Sequence, residues 1–419
     1  MYEQTVLNNG LRVITAPIKN AYSVAISFLV GAGSRHESDE LAGGNHFLEH
    51  LLFKGTRNWP SAQIISEAIE GVGGVMNAST DKEMTVYWSK IAQSNFDTAF
   101  DVLTDMLINP LLDESEMNKE REVISEELRM TNDYPSYRVE LLIDEMLWPG
   151  QPMGRDVGGT LESVHHIKRN DLVDLMNSHY SPNNVVISIA GNVDHSRIVD
   201  NLLETTNGWL PRSSPKWEPA TMRQYSKVCV EYRKSEQAHI CVGLPAYPIG
   251  HPDHYAMNLV NIIFGEGMSS RLFMEVREKR GLAYDVHSWL NEFSDCGSFM
   301  IYCGSAPRRS IESLQVITDQ LNRLIDGCTE QEIAKAKEYW KGRLMLRLEN
   351  TQNVGMWYGA QELLLDKILE VEQTAALIDA VDVQDVNRVA KDLITKKMVN
   401  LAVVGPFKSE AKFQSIIDN

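Results

Sequence analysis

Residues 43–53 read Gly-Gly-Asn-His-Phe-Leu-Glu-His-Leu-Leu-Phe, and the spacing of His46, Glu49 and His50 within them governs the interpretation of the whole chain. Residues four positions apart lie on the same side of a helix, so His46 and His50 can bind one metal ion. Glu49 faces that side too and can reach water at the metal without being a ligand. Apolar residues fill most other positions, which predicts a helix buried on nearly all faces. Buried imidazoles need partners, and a shared zinc ion serves both rings. The alternative is a chance pair of histidines that makes only local hydrogen bonds.

A catalytic zinc site needs a third protein ligand and an open fourth position. The acidic segment 113–130 is the candidate source of that ligand. Val123 and Ile124 precede Glu127 by one turn, which places Glu127 on the inward, apolar side of the predicted helix. Glu120 lies two turns before Glu127 on the same side and is interpreted as a residue outside the ligand set that orients a ligand or tunes the charge of the site. The remaining glutamates considered are interpreted as a solvated acidic face: Glu116, Glu122 and Glu126.

Length and composition restrict the class of protein. A chain of 419 residues favours two domains of roughly 200 residues each. Hydrophobic residues make up 43% and charged residues 23%, which is typical of a globular protein with a sizeable core. The formal net charge of −17 argues against a nucleic-acid-binding protein, because attraction to phosphates needs a basic surface.

The cellular compartment is predicted from features that the sequence lacks. The N-terminal segment has no basic stretch followed by an apolar core and a cleavage site, so no secretory signal is predicted. No apolar run approaches the roughly 20 residues that span a bilayer, so no membrane partner is expected. The five cysteines form no C-x-x-C pair, which argues against a disulfide framework and a cysteine zinc site. We expect a reduced, cytoplasmic protein.

The order of predicted elements indicates two copies of one α+β unit. Residues 209–219 contain three prolines and two serines and indicate a linker near the midpoint. Before it we predict strands 11–15, 23–30 and 84–88 and helices 40–54, 61–71 and 94–108; after it, strands 228–232, 239–243 and 298–302 and helices 252–265, 269–280 and 307–325. The predicted fold is α+β, with two homologous units in tandem, each a sheet with helices packed on one face. The expected divisions are a zinc-binding domain 1–210, a linker 211–222 and a second domain 223–419.

Several motifs together closely resemble the pitrilysin and mitochondrial processing peptidase family of zinc peptidases, in which H-x-x-E-H is the inverzincin signature. The resemblance is densest in these segments: Gly31-Ala-Gly-Ser-Arg35, His46-Phe-Leu-Glu-His-Leu-Leu-Phe-Lys-Gly-Thr56, Gly73-Gly-Val-Met-Asn-Ala-Ser-Thr80, 116–130 and 268–284. It extends over nearly the whole chain. Asn45 stands where a small apolar residue is common and Leu51 where methionine is frequent, and neither is a predicted ligand.

The resemblance implies a zinc metalloendopeptidase with one zinc ion per chain. His46, His50 and Glu127 are the implied ligands, Glu49 is the implied general base and Glu120 is the implied outer support. In this reaction zinc lowers the pKa of water and polarises the scissile carbonyl, while the base takes the proton and passes it to the leaving amine.

The resemblance also implies two sets of substrate contacts. In this family an extended peptide adds as a strand to the segment that corresponds to residues 73–80, so Asn77 and the backbone of Ala78 are implied substrate contacts. Arg277 and Tyr284, seven residues apart in the second domain, match a pair that binds the substrate carbonyl and its developing oxyanion.

The assembly and the competing function follow from the same resemblance. The family builds a chamber from four such units, of which this chain supplies two, so a dimer that acts on peptides or unfolded protein segments is expected. A homodimer is self-sufficient because one chain carries both parts of the site; a heterodimer with a related chain is the alternative. The competing function is a non-catalytic scaffold or substrate-recognition subunit, although such chains lose members of the His–His–Glu set or the general base, all present here.

Overall fold

A computed structural model of the chain describes residues 1–223, 225–395 and 398–418. Its contacts group these residues into two compact units, each built from three segments of the chain. The first unit contains residues 1–128, 156–218 and 345–370, and the second contains residues 129–155, 219–344 and 371–419. The division into 1–210, 211–222 and 223–419 remains a prediction about the two sequence halves.

The described elements alternate strands and helices in both units. The strands are β1 (Glu3–Val6), β2 (Arg12–Pro17), β3 (Ser23–Val30), β4 (Val75–Thr80), β5 (Thr85–Ala92), β6 (Val185–Gly191), β7 (Lys227–Tyr232), β8 (Ala238–Ala246), β9 (Ala283–Glu292), β10 (Gly297–Ser305) and β11 (Asn400–Gly405). The helices are α1 (Gly44–Leu52), α2 (Ala62–Glu70), α3 (Phe96–Ile108), α4 (Glu114–Asp133), α5 (Pro135–Leu147), α6 (Leu161–His166), α7 (Arg169–His179), α8 (His195–Thr205), α9 (His254–Phe264), α10 (Ser310–Arg323), α11 (Glu330–Arg347), α12 (Thr351–Leu365), α13 (Val371–Ala380), α14 (Val383–Thr395) and α15 (Ala411–Ile417).

The sheet of the first unit has the strand order β1-β2-β6-β3-β5-β4. Gly10, with a φ of +85°, turns β1 back into β2, because glycine adopts this left-handed conformation without steric cost. β6 lies parallel to β2 and antiparallel to β3. β4 pairs with β5 alone among the described strands, so the segment 75–80 forms an edge of the sheet.

Side chains along β3 alternate between two packing layers. Val24, Ile26 and Phe28 are fully buried in the main core, to which α1, α2, α3 and α7 contribute. Leu29 points to the opposite face, which α12 covers with Val354 among other residues. The helices that were predicted on one face of the sheet form the larger layer. Helix α12 forms a second, smaller layer on the opposite face.

The close approach of α12 to the sheet gives a stability prediction. A Cβ at Gly359 would lie 2.6 Å from Leu29 Cδ1 and 3.0 Å from Ser188 Cβ, whereas a Cβ at Gly355 would come no nearer than 3.6 Å, to the Ser188 carbonyl oxygen. Gly359→Ala is expected to lower the free energy of unfolding by about 1–2 kcal/mol through overpacking. Gly355→Ala, the matched control, is expected to raise it slightly, because alanine favours the helix. Urea unfolding measures both, and equal shifts in the two variants would contradict this packing.

The second unit repeats the same layering around the strand order β7-β11-β8-β10-β9. Leu259 of α9, Leu314 of α10 and Val389 of α14 pack in one core. On the opposite face, α5 approaches β8 so closely that a Cβ at Gly243 would lie 2.8 Å from Ile143 Cγ1. In each unit the smaller layer thus comes from a chain segment remote in sequence from most of the sheet that it covers.

The predicted α+β class with two related units is confirmed, and most predicted elements occur at or near their expected positions. The segment 269–280 differs, because a π-helical turn occupies Phe273–Glu278. The strands β6 and β11 were not predicted. Both are buried along their whole length, and a short apolar run gives no periodic signal that separates a buried strand from a helix. No helix in the described part of the chain combines the length and the apolar character that a bilayer crossing requires.

Candidate metal centre

Helix α1 carries three polar side chains at the border of the first core. Its four large apolar residues are at most 1% exposed, as the sequence predicted: Phe47, Leu48, Leu51 and Leu52. His46, Glu49 and His50 are half-buried on the remaining side. The apolar residues therefore fix the rotation of the helix, and this rotation directs both imidazoles and the carboxylate to one place.

A buried carboxylate holds the start of α1. Glu37 accepts hydrogen bonds from the backbone N–H groups of Gly43 and Asn45, both at 2.7 Å, and from the Asn45 side-chain amide at 2.8 Å. Asn45 Oδ1 lies 3.1 Å from Nδ1 of His179. Asn45, one of the two departures from the family pattern, is thus part of a polar network that anchors the start of α1.

Two histidines beside this network, the buried His179 and the half-buried His36, make stability depend on pH. The rings of His36 and His179 lie edge to face, with centroids 6.1 Å apart, and burial lowers the pKa of each from 6.5 to about 4. The unfolded chain therefore binds protons below pH 6.5 that the folded chain takes up only near pH 4. The contribution of these two neutral histidines to the free energy of unfolding is complete above pH 6.5 and is lost as the pH falls toward 4.

His179→Gln is expected to flatten this pH profile. Removing one such group should reduce the slope of unfolding free energy against pH by about 1.4 kcal/mol per pH unit between the two pKa values. Urea unfolding at several pH values in this window measures the slope. His165→Gln, on the exposed surface of α6, is the control. A slope in His179→Gln equal to that of the unchanged chain would contradict the assignment.

Three side chains bring possible metal-ligating atoms together. Glu127 Oε2 lies 3.8 Å from His46 Nε2 and 3.6 Å from His50 Nε2, and the three donor atoms lie within 4.8 Å of one another. Zinc bonds of about 2.0–2.2 Å in a tetrahedral site imply donor atoms roughly 3.3–3.6 Å apart. The two distances to Glu127 Oε2 match this separation to within a few tenths of an ångström, and the three atoms are close enough together to share one zinc ion after a small adjustment of the side chains.

The other ring nitrogen of His50, Nδ1, contacts the carboxylate of Glu120. Glu120 Oε2 lies 3.1 Å from His50 Nδ1, and Glu120 Oε1 accepts from Lys54 Nζ at 2.7 Å. Although burial opposes the shift, the hydrogen bonds from His50 and Lys54 lower the pKa of Glu120. A carboxylate that accepts the Nδ1 proton leaves the Nε2 lone pair available to a metal, which is the usual arrangement around metal-binding histidines.

His46 is in the protonation state that binds a metal. Burial, reinforced by the neighbouring His50, lowers the pKa of His46 from 6.5 to about 4, so its imidazole is neutral at neutral pH. Its Nδ1 is buried and has no hydrogen-bond partner among the described residues. Burial of an incompletely paired imidazole is costly, and a cation at Nε2 would offset that cost.

Glu49 is directed toward this group from the same helix. Its Oε2 accepts a hydrogen bond from Thr80 Oγ1 at 2.6 Å. Burial raises the pKa of Glu49, although the Thr80 hydrogen bond and the nearby His50 oppose the shift. A raised carboxylate pKa suits a group that must take a proton and later release it.

Glu127 reaches the site from the flank of α4. The buried residues of this helix include Glu120, Ile124 and Leu128, whereas Val123 is 49% exposed. The prediction that Val123 lies on the inward, apolar side of α4 was therefore wrong. The Glu127 side chain is 43% exposed and lies at the border of the actual stripe, where a carboxylate can meet both a metal and solvent.

The substrate contacts implied by the family resemblance are placed as follows. Asn77 and Ala78 lie on the edge strand β4, where Asn77 Oδ1 accepts from the Ala78 N–H at 2.8 Å. In the second unit, Arg277 Nη1 donates to the Tyr284 carbonyl at 2.9 Å, and its guanidinium lies 4.4 Å from the centre of the Tyr284 ring. The structure thus brings Arg277 and Tyr284 together, and Tyr284 is 78% exposed.

Sequence reasoning missed two residues of the first unit that contact the site. Lys54 pairs with Glu120, and Thr80 pairs with Glu49. Lys54 follows His50 by four residues, a spacing that carried a usable signal. Thr80 comes from a different strand, and only tertiary structure reveals its contact.

Both halves of the chain match known protein families. Residues 12–161 match the family described as insulinase (peptidase family M16), and residues 166–339 match the family described as peptidase M16 inactive domain.

Individual proteins are similar over nearly the full length. An uncharacterized zinc protease of Streptomyces coelicolor is 36% identical over 97% of this chain and 90% of its own length. An uncharacterized zinc protease of Bacillus subtilis is 34% identical over 97% of this chain and 98% of its own length.

Solved structures share the fold. A protease from Helicobacter pylori superimposes with a TM-score of 0.91 at 24% identity, covering 97% of this chain and 99% of that one. A chain in a structure of Complex III2 from Candida albicans superimposes with a TM-score of 0.84 at 19% identity, covering 99% of both chains.

Proposed function

Because the chain belongs to peptidase family M16, we propose that it is a zinc-dependent endopeptidase that hydrolyses peptides or unfolded protein segments. The observation that carries this proposal is the convergence of His46 Nε2, His50 Nε2 and Glu127 Oε2 beside the carboxylate of Glu49. Three donors with an adjacent general base is the composition of a hydrolytic zinc site.

One zinc ion per chain is the proposed cofactor content. Among the described residues, these three side chains are the one group of this kind with converging donor atoms. Zinc bound there would supply a Lewis acid that polarises a carbonyl and makes water more acidic. Glu120 would keep His50 oriented through its Nδ1 hydrogen bond.

The side chains of this site support a simple path for the proton. Glu49 takes a proton from the attacking water while that water's oxygen bonds to the peptide carbonyl carbon. Glu49 then releases the proton to the amine nitrogen as the C–N bond breaks. The half-buried position of Glu49 limits competition by bulk water for its carboxylate.

Substrate binding is proposed to use the edge of the first sheet. An extended peptide can add as a strand beside β4, because an edge strand offers unpaired backbone groups. Asn77 and the Ala78 backbone are the proposed contacts. Arg277 and Tyr284 are proposed to bind the substrate carbonyl and its oxyanion, and their mutual contact supports action as a pair.

The proposed assembly is a homodimer that encloses a chamber, with a heterodimer with a related chain as the second option. The argument is by family analogy. One chain carries both the metal-ligand set and the Arg277–Tyr284 pair, which makes a homodimer chemically complete.

The alternative function is a non-catalytic scaffold or substrate-recognition subunit. A chain of a Complex III2 structure shares this fold, so the fold alone does not exclude a scaffold function. The presence of His46, Glu49, His50 and Glu127 in one group weighs against it, because a scaffold has no need of a general base beside a metal site.

The proposal is tested by offering the purified, zinc-replete chain a mixture of unstructured peptides. We expect about one zinc per chain by metal analysis and new internal cleavage products by mass spectrometry. A folded protein substrate of similar sequence content should remain intact. Bound zinc without cleavage, in the chain alone and after addition of cell-derived partner chains, would favour the scaffold function.

A further inference from the structure

The hydroxyl of Thr80 contacts the proposed general base directly. Thr80 is the last residue of β4, and its Oγ1 donates to Glu49 Oε2 at 2.6 Å. A hydrogen bond from the Thr80 backbone to the Glu49 carboxylate adds to this contact. The Glu49 carboxylate is therefore held by the last residue of the strand.

This contact restricts the orientation of a flexible side chain. A glutamate has several rotatable bonds, and α1 fixes only its backbone. Threonine is branched at Cβ and has a restricted χ1, and the backbone of Thr80 is fixed by pairing with Thr85 in β5. The hydroxyl thus provides a rigid reference point to which the Glu49 carboxylate is tied.

We propose that Thr80 is a positioning residue, whose hydroxyl orients the Glu49 carboxylate for proton abstraction from the attacking water. This inference rests on the proposed peptidase function. The proton of the water passes to the Glu49 carboxylate and then to the leaving amine, while the Thr80 proton stays on Oγ1 throughout. Thr80 thus acts through Glu49 and takes no part itself in the bonds that form or break.

The position of Thr80 also connects substrate binding to the base. Side chains two residues apart on a strand point to the same face, so Ala78 and Thr80 share one face of β4. The strand proposed to receive the substrate therefore ends in the residue that orients Glu49. A peptide aligned on β4 is placed in register with the base by a single rigid element.

Thr80→Val and Thr80→Ser separate the hydroxyl from the shape of the side chain. Thr80→Val keeps the branched shape without the hydroxyl and is expected to lower kcat about 30- to 100-fold, because small misplacements of a catalytic group have effects of this size. Its KM should stay within about twofold, since substrate alignment is unchanged. Thr80→Ser retains the hydroxyl and is expected to keep kcat within about threefold of the unchanged chain.

Ser89→Ala is the control for a purely structural effect. Ser89 Oγ donates to the Val75 carbonyl at 3.0 Å and supports the other end of β4 without touching Glu49. Its kcat should match that of the unchanged chain. An undiminished kcat in Thr80→Val, or equal losses in Thr80→Val and Thr80→Ser, would overturn the inference.

Crystal structures of the three chains supply a readout that does not depend on activity. The Glu49 carboxylate should turn or become disordered in Thr80→Val and keep its orientation in Thr80→Ser. An unchanged Glu49 carboxylate in Thr80→Val would overturn the inference. If the unchanged chain fails to cut any peptide, the proposed function fails, and this structural comparison still decides whether Thr80 positions Glu49.

Discussion

Glu49→Gln is expected to abolish peptide cleavage while leaving the zinc content of the chain unchanged. The amide of glutamine cannot take a proton from water, and loss of a general base typically lowers the rate by 10²- to 10⁴-fold, so a fall in kcat of about 10³-fold or more is expected. Glutamine matches the shape of glutamate, and its carbonyl oxygen can still accept from Thr80 Oγ1. The three metal-binding donors are untouched, since Glu49 is not among them.

Steady-state kinetics and metal analysis on the same preparation check this result. Glu70→Gln, on the exposed surface of α2, makes the same chemical change away from the site and should leave both quantities unaltered. A Glu49→Gln chain that retains a large share of the parental kcat would remove Glu49 from the role of base. Loss of zinc in that chain would assign Glu49 to the ligand set instead.

Glu127→Gln is expected to weaken zinc binding more than any other substitution on α4. Removal of an outer residue that orients a ligand costs about 10- to 100-fold in metal affinity. Loss of the charged Oε2, which faces both imidazoles, should exceed that range. Glu120→Gln, which alters only the support of His50 Nδ1, should fall within it.

The zinc affinity of each variant is measured by competition with a chelator of known affinity. Glu122→Gln is the matched control, because Glu122 lies on the same helix and is exposed. Its zinc affinity should equal that of the unchanged chain. Equal affinities in Glu127→Gln and Glu122→Gln would exclude Glu127 as a ligand and leave the third position to another residue.

Helix α1 could be predicted from the sequence because the pattern that determines it is local. The spacing of His46 and His50 and the apolar residues between and after them determine both the helix and its rotation. The rotation of helix α4 was harder to predict. The prediction placed both Glu120 and Val123 on its inward side; Glu120 is buried and lies beside His50, whereas Val123 is exposed. The buried side of an acidic helix is narrow, and packing against neighbouring elements determines which residues lie on it.

The parts that could not be predicted depend on contacts distant in sequence. β6 lies between β2 and β3 although it follows them by more than 150 residues, and no local pattern encodes that insertion. The packing of α12 on the first sheet and of α5 on the second has the same character. The hydrogen bond between Thr80 and Glu49 also joins two elements whose pairing emerges only in the folded chain.

The central claim is that this chain is a peptidase whose activity requires one zinc ion held by His46, His50 and Glu127. Its most direct test is to remove the metal with a chelator, return zinc in measured steps, and follow cleavage of one unstructured peptide. We expect no cleavage without metal and a rise that saturates at about one zinc per chain. Cleavage that persists in the metal-free chain, or a chain that binds one zinc and remains inert, would contradict the claim.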